Sequence, residues 1–256
     1  MTKQEKKYYE TKATEKEFLT WYQEKDQPTY ETPSVTIDNV IFSYDRQEDL
    51  LKILLIKRKN HPFQDYWALP GGFIQKGESA DDCCIRETYE ETGIKIFADQ
   101  IEQLYTFTEP ERDPRGWILT ISYLAFLHQL PVQAGSDAGE ARWFDIWIDS
   151  NEISLVSGDD TLILTDQKLA FDHVKIIQMA IKRIVGKLYY QPKLLLLLEP
   201  PFTIVEARKV FGKFLGVPYK EIDHSNFKKE ILKFVDEVGE RPTGVGRPSK
   251  YYQLKK

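Results

Sequence analysis

Three glutamates within five positions, Glu87, Glu90 and Glu91, carry the clearest chemical signal in the sequence. On a helix the spacing i, i+3, i+4 puts all three on one face. Carboxylates that close raise one another's pKa and oppose folding unless a cation joins them. An all-oxygen donor set suits hard divalent ions, Mg²⁺ above all and Mn²⁺ next. The pair Gly71-Gly72 lies upstream, and a carboxylate cluster beside a glycine loop can hold a metal–diphosphate and activate water for attack on phosphorus. Arg86 is placed to pair with Glu90 one turn on, or with Glu78 in the preceding loop. Three glutamates alone would more often be a solvated acidic face. The surrounding glycines, Glu78 and Arg86 weigh against that reading.

The stretch Gly72-x5-Glu78-x7-Arg86-Glu87-Thr88-x-Glu90-Glu91-x-Gly93-Ile94 resembles the Nudix hydrolase box, G-x5-E-x7-R-E-U-x-E-E-x-G-U, with U a bulky apolar residue. Every charged and glycine position matches, and Thr88 stands where an aliphatic residue is usual. A chance match at eight fixed positions is very improbable. The resemblance implies an α/β fold, a Nudix α/β/α sandwich with a mixed sheet. It further implies that Glu87, Glu90 and Glu91 hold the divalent metal, assisted by backbone carbonyls of Gly71 and Gly72. Glu78 and Arg86 would brace the loop and the catalytic glutamate. Lys57-Arg58, Pro62-Phe63, Trp67–Pro70, Asp113–Trp117 and the run 136–144 are similar to the ADP-ribose-type branch. On that footing Arg58 and Arg115 fork onto phosphate or the terminal ribose. Trp117 either stacks on adenine or packs in a strand, whereas Trp67 and Trp143 read as core aromatics. None of the four histidines is assigned to catalysis, and His173 reads as structural.

The elements that must position these residues follow from periodicity and turn chemistry. Residues 1–13 are charged and read as frayed, and Thr14-x-x-Glu17 is a capping box for a short helix to about Lys25. Ser34–Tyr44 and Leu50–Lys57 are β-branched or apolar runs. Ser79 and Asp82 cap a helix that Gly93 ends. Further strands are expected at 101–109, 117–127 and 141–148, with a turn at Arg112–Gly116. Cys83 and Cys84 are adjacent, too close for an ordinary disulfide, and read as small buried residues. From Asp172 the pattern turns helical, with Val174, Ile177, Ile181, Ile184, Val185 and Leu188 on one apolar face. Thr203-x-x-Glu206 opens the next helix and Gly216 closes it. A third runs from Asp223 or Ser225 to Gly239, burying Phe227, Ile231, Phe234, Val235 and Val238, and a small hairpin follows.

That order is the order of a winged helix-turn-helix, and the charge is distributed to match. The whole chain carries −5, but residues 201–256 hold 12 basic and seven acidic residues, a balance of +5 that leaves −10 on the rest. Asn226, Lys228, Lys229 and Lys233 are candidates for a major groove, and Arg247 and Lys250 for backbone phosphate or the minor groove. A solvated helix with a basic tail is the plainer alternative. The whole layout resembles the Nudix-related transcriptional regulators of NAD metabolism, which join a Nudix domain to a C-terminal winged helix. The expected organisation is an N-terminal extension (1–33), a Nudix domain (34–168), a connecting helix (169–191) and a winged helix-turn-helix domain (192–256).

The resemblance implies a cytoplasmic protein that binds, and with its box intact hydrolyses, ADP-ribose or a related nucleotide with Mg²⁺. It implies operator DNA as a partner and a homodimer to place two recognition helices on one site. A housekeeping Nudix pyrophosphohydrolase whose C-terminal part serves only dimerisation or substrate binding is the competing expectation. No apolar run approaches the roughly 20 residues of a membrane span, so no membrane partner is expected.

Overall fold

The computed structural model describes residues 2–24, 31–128, 130–135, 138–149, 152–164, 169–241 and 248–255. The chain divides into two compact units, residues 1–33 and 34–256. In the first, helices α1 (Lys3–Thr11) and α2 (Glu15–Glu24) form a pair. The charged start is thus helical rather than frayed. Thr2 caps α1, the Thr14–Glu17 box opens α2, and Tyr9 stacks on Trp21 with ring centroids 4.7 Å apart. That ring contact between the helices supplies what the polar sequence of α1 lacks.

In the second unit the described residues form one eight-stranded sheet. Its strands are β1 (Ser34–Asp45), β2 (Leu50–Arg58), β3 (Trp67–Ala68), β4 (Ile101–Phe107), β5 (Ile118–His128), β6 (Ala138–Ile148), β7 (Ile153–Ser157) and β8 (Asp160–Ile163). The order is β4-β5-β1-β2-β6-β7-β8, with β3 paired to β2. β1 runs parallel to β5 over its whole length, and the other pairs are antiparallel.

Alternation along β1 assigns the two faces. Ile37 and Ile41 pack with Cys83 and Cys84 of helix α3 (Ala80–Thr92). Val40, Phe42 and Tyr44 pack with helices α4 (His173–Lys187) and α5 (Ile204–Leu215). Successive strand side chains point to opposite faces, so a strand apolar at every position is one covered on both sides. On α4 the buried residues include Ile176, Ile177, Ala180, Ile181 and Ile184; Val185, expected on that face, is exposed.

The C-terminal elements share this core. Phe214 meets Phe42 edge-on at 5.3 Å, and Phe211 meets Phe227 of helix α6 (His224–Ile231) at 4.8 Å. Polar contacts fasten the same joint. Arg46, in the β1–β2 turn, binds Glu206 and the Glu199 carbonyl, while Lys209 and Lys213 flank Asp49. Thr203 and Glu206 form the expected capping box, and Gly216 closes α5 at φ 66°.

The third helix differs from expectation. α6 stops at Ile231, and Val235–Arg241 is a strand, β9, paired with β10 (Ser249–Leu254). Lys233 therefore lies in the turn after the helix and Val238 is exposed. The helical spacing of Phe227, Ile231, Phe234, Val235 and Val238 is outweighed by the ladder to β10, anchored where buried Tyr252 bridges to Phe202. A short 3-10 turn, Tyr219–Glu221, separates α5 from α6. The expected wing residue Arg247 lies outside the described residues.

Candidate active site and nucleic-acid face

Helix α3 is defined at both ends by its sequence. Ser79 Oγ accepts the Asp82 N–H, and Gly93 ends the helix at φ 71°, a conformation glycine adopts without strain. Cys83 and Cys84 anchor its apolar side as free buried thiols; burial pushes the Cys83 thiol up to about 12, which leaves it protonated and inert. Thr88, the departure from the box pattern, has a use. Its buried hydroxyl accepts Asn39 Nδ2 at 3.1 Å, tying the helix to β1.

Arg86 organises the carboxylates. Its Nε donates to Glu78 Oε1 at 2.6 Å and its Nη2 to Glu78 Oε2 at 2.9 Å; its Nη1 reaches Glu87 at 2.6 Å and Glu90 at 3.0 Å. Both partners foreseen for Arg86 are thus engaged at once. The bonds from Arg86 hold the Glu78 carboxyl at about 2, well below its ordinary range.

Glu91 accepts the Gly71 N–H at 2.8 Å. Burial first, then the charges of Glu87 and Asp38, push its carboxyl up to about 8. Burial likewise raises Glu87 against the pull of Arg86, with Glu90 and Glu78 adding to the rise. The glycine loop lies hard against these groups. A Cβ on Gly72 would fall 2.3 Å from Glu87 Oε1, and one on Gly71 would fall 1.9 Å from the Ile37 carbonyl oxygen. The Gly72 carbonyl already accepts the Ile37 N–H at 2.8 Å.

These residues fit a hard divalent cation by donor chemistry: oxygen donors, one helix face, and two half-buried or buried carboxylates raised by burial and like charge. With Arg86 holding Glu87 and Glu90, no three acidic, histidine or cysteine side chains are gathered as a closed metal cluster among the described residues.

Beside the box lies a cleft lined by β1, β2, the Gly71-Gly72 loop, the 112–115 turn and the start of α4. Arg58 and Arg115 both line it. Arg58 donates Nε to the Pro62 carbonyl at 2.8 Å and lies 4.9 Å from the Phe171 ring. Arg115 is held by Asp113 and lies over Phe73 at 4.9 Å and Phe171 at 5.3 Å. Burial, then the neighbouring Arg115 charge, lowers the Arg58 pKa. Two guanidiniums line one cleft, Arg115 already paired with Asp113, and together they can fork onto an anion. Trp117 is apart from them, 56% exposed and outside the lining. Trp67 is buried as expected, and Trp143 is partly buried with its Nε1–H on the Leu130 carbonyl.

The cleft also holds residues that sequence reasoning missed. Asp38, Phe73, Arg112 and Phe171 line it, together with His173, which the sequence reads as structural and which lies buried at the start of α4. His173 Nε2 lies 3.2 Å from Asp38 Oδ1. Burial opposes ionisation of Asp38, yet His173 and then Arg112 outweigh it and lower its pKa. The available signal was the run Phe171-Asp172-His173, an aromatic, an acid and an imidazole together at a helix start.

In the C-terminal part of the chain, Asn226, Lys228 and Lys229 ride on α6, whose first turn is capped by Asp223 on the Asn226 N–H at 2.7 Å. Asn226 and Lys229 are exposed and Lys228 half-buried. Lys233 pairs with Glu230, and Lys250 pairs with Glu237 at 2.7 Å and Glu240 at 3.5 Å. Part of this basic face is therefore answered by acids of α6 and of the hairpin. No helix among the described residues is long and apolar enough to cross a membrane.

Comparison with known proteins bears on both regions. The NUDIX domain model matches residues 32–155, and the NrtR DNA-binding winged helix domain model matches residues 194–254. The ADPR responsive transcriptional repressor NtrR of Acinetobacter baylyi is 31% identical over 247 residues, 94% of this chain and 89% of that protein. An ADP-ribose pyrophosphatase of Methanocaldococcus jannaschii is 38% identical over 149 residues, 58% of this chain and 73% of that one.

Among solved structures, a MutT/nudix family protein from Enterococcus faecalis is 49% identical with a TM-score of 0.91, covering 100% of this chain and 99% of that one. Shewanella oneidensis NrtR in complex with a 27mer DNA is 32% identical with a TM-score of 0.65, covering 86% and 93%. The NUDIX domain of the same NrtR, solved with ADP ribose, is 32% identical with a TM-score of 0.52, covering 67% and 99%.

Proposed function

The chain belongs to the Nudix family, in the branch that carries an NrtR-type DNA-binding winged helix, and from that premise we propose that it is an ADP-ribose-responsive transcriptional regulator that also hydrolyses its ligand. The observation that carries the ligand assignment is the pair Arg58 and Arg115 in one cleft, against an intact carboxylate helix. A diphosphate supplies the anionic charge that two adjacent guanidiniums call for. The relatives' ADP ribose and DNA complexes support the same two ligands here.

For hydrolysis, Glu87, Glu90 and Glu91 would hold Mg²⁺, with carbonyl oxygens of Gly71 and Gly72 as further donors. A bound divalent ion supplies charge neutralisation and an acidified water at such a site. The chain's own residues do the rest. Arg58 and Arg115 bind and orient the diphosphate. The Gly71 N–H fixes Glu91, and Arg86 fixes Glu78, Glu87 and Glu90. Addition of water to one phosphorus breaks the P–O–P bridge and yields AMP and ribose 5-phosphate. On the DNA side, Asn226, Lys228 and Lys229 of α6, with Lys233 and Lys250 beside them, form the contacting face. We assign a homodimer, which would set two such faces on one duplex.

Turnover of ADP-ribose with Mg²⁺ tests the enzymatic half; wild type indistinguishable from Glu90→Gln, with neither active, would sink it. A gel shift on the region upstream of the protein's own operon, with and without ADP-ribose, tests the regulatory half. Loss of all specificity at moderate salt would count against it and favour a housekeeping enzyme whose C-terminal part only dimerises.

A further inference from the structure

The cleft measures about 70 Å³, whereas pockets for ligands of nucleotide-sugar size run to roughly 300–1,000 Å³. Binding therefore requires part of the wall to move. The strand residues of the wall are locked in the sheet, with Ile37 and Ile56 buried. The displaceable part is the ring stack, Arg58 and Arg115 against Phe171. Phe171 has φ 53°, a conformation a bulky residue keeps only when its neighbours hold it there.

Those neighbours begin α4. Asp172 occupies the N-cap position but makes no side-chain bond to the first turn, although capping is the usual role of an aspartate there. Its carboxylate instead takes Arg112 through Nε at 3.0 Å and Nη2 at 2.5 Å. Arg112 reaches on to Asp38 at 3.5 Å. His173 accepts the Leu69 N–H on Nδ1 at 2.9 Å, so its Nε2 proton is the one offered to Asp38. These four side chains are each 10% exposed or less. Buried charges hold their geometry only while paired.

We infer that Phe171-Asp172-His173 is the joint through which an occupied cleft acts on α4 and thence on the DNA-binding helices. The inference rests on the ADP-ribose reading above and adds its route. Ile177, Ile181 and Ile184 of α4 share one core with Phe211 and Phe214 of α5. Close-packed interiors transmit displacement, and α5 in turn seats α6 through Phe211 and Phe227. A ligand shifts such an equilibrium only through contacts that differ between the two states. Here the difference is Phe171 on the arginines in one state and the ligand on the arginines in the other. Asp172 is a positioning residue in this scheme, acting through α4.

The experiment uses the full chain and ADP-ribose itself: hydrogen–deuterium exchange over α4 and α5 with and without saturating ligand, alongside the calorimetric Kd. In wild type the ligand alters exchange in the first turn of α4 and in α5. Asp172→Asn keeps Kd within about threefold and loses most of that change, and Asp172→Glu, which restores the carboxylate, regains it. A wild-type-sized change in Asp172→Asn overturns the inference and leaves the ligand reading standing. No ADP-ribose binding by wild type overturns both. Should Asp172→Asn lose its fold by circular dichroism, Phe171→Leu carries the test. Its Kd tightens, because the ligand no longer displaces a ring from the arginines, and a full-sized change at saturation overturns the inference.

Discussion

Helices α3 and α6 both present charge, and they do so under opposite conditions. On α3 one arginine gathers three carboxylates at 2.6–3.0 Å, the glycine loop presses on Glu87, and burial raises Glu87 and Glu91. On α6 and its hairpin the lysines are half-buried or exposed, and Lys233 and Lys250 sit in ion pairs with nearby acids. A site that stabilises a reacting phosphorus must have its charges fixed before substrate arrives. A face for a polyanion needs only cations on a rigid scaffold, because phosphate can displace weak surface partners. On the proposed function, unfavourable company marks the chemical site, and replaceable company marks the nucleic-acid site.

The largest expected effect tests the first half of that contrast. Glu91→Gln removes a buried carboxylate with one neighbouring like charge too many. ADP-ribose turnover with Mg²⁺ should fall about 100-fold or more, the equivalent of several kcal/mol. Without divalent ions the variant should melt no lower than wild type, since burying an ionised group is costly. Added Mg²⁺ should raise the wild-type melting temperature more than the variant's. Turnover within about threefold of wild type would make α3 an ordinary acidic face and dissolve the comparison.

How legible each region was follows from how local it is. Glu87, Glu90 and Glu91 need only helical spacing to converge, so the sequence is enough to find them. Arg58 and Arg115 stand out as motif residues. Asp38, Arg112 and Phe171 do not, because they come from three segments that only the parallel β1–β5 pairing and the start of α4 bring together. Thr88 reads as a mismatch until Asn39 is found bonded to it. The misread end of α6 has a different cause. Val235 is buried while 236–241 are exposed, so β9 lacks the alternation that announces a strand, and its partner β10 begins only at Ser249. The pairing of Tyr9 with Trp21 that orders α1 is likewise a contact between separate helices.

The second half of the contrast is tested on DNA. Replacing Lys228 and Lys229 together by alanine should weaken binding about tenfold and reduce the slope of log K against log salt by about two. An unchanged slope would move the phosphate contacts off α6. A smaller effect of opposite sign is expected from Glu237→Gln, which releases Lys250 from its nearest carboxylate. Affinity should rise about threefold at low salt, and the gain should fade as salt screens the exposed pair. Equal affinities at every salt concentration would mean that Lys250 faces away from the duplex.

The smallest effect concerns the joint between the two regions, where charge is neither trapped nor freely replaceable. Burial alone would raise Glu206, but its bonds to Arg46 and to Thr203 lower its pKa from the ordinary 4.5. Glu102 is lowered likewise by Lys187 and Lys193, against the effect of burial. A carboxylate whose folded pKa lies below its unfolded value binds fewer protons when folded. Its stabilisation is complete above the unfolded pKa and is lost as pH falls through the folded one. Glu206→Gln should therefore melt a few degrees below wild type near neutrality, and the two curves should converge as pH drops below about 4. A gap that stayed undiminished into acid would mean that Glu206 holds the winged helix on the sheet by packing and neutral hydrogen bonds. The joint would then belong with the Phe42–Phe214 core rather than with either charged helix.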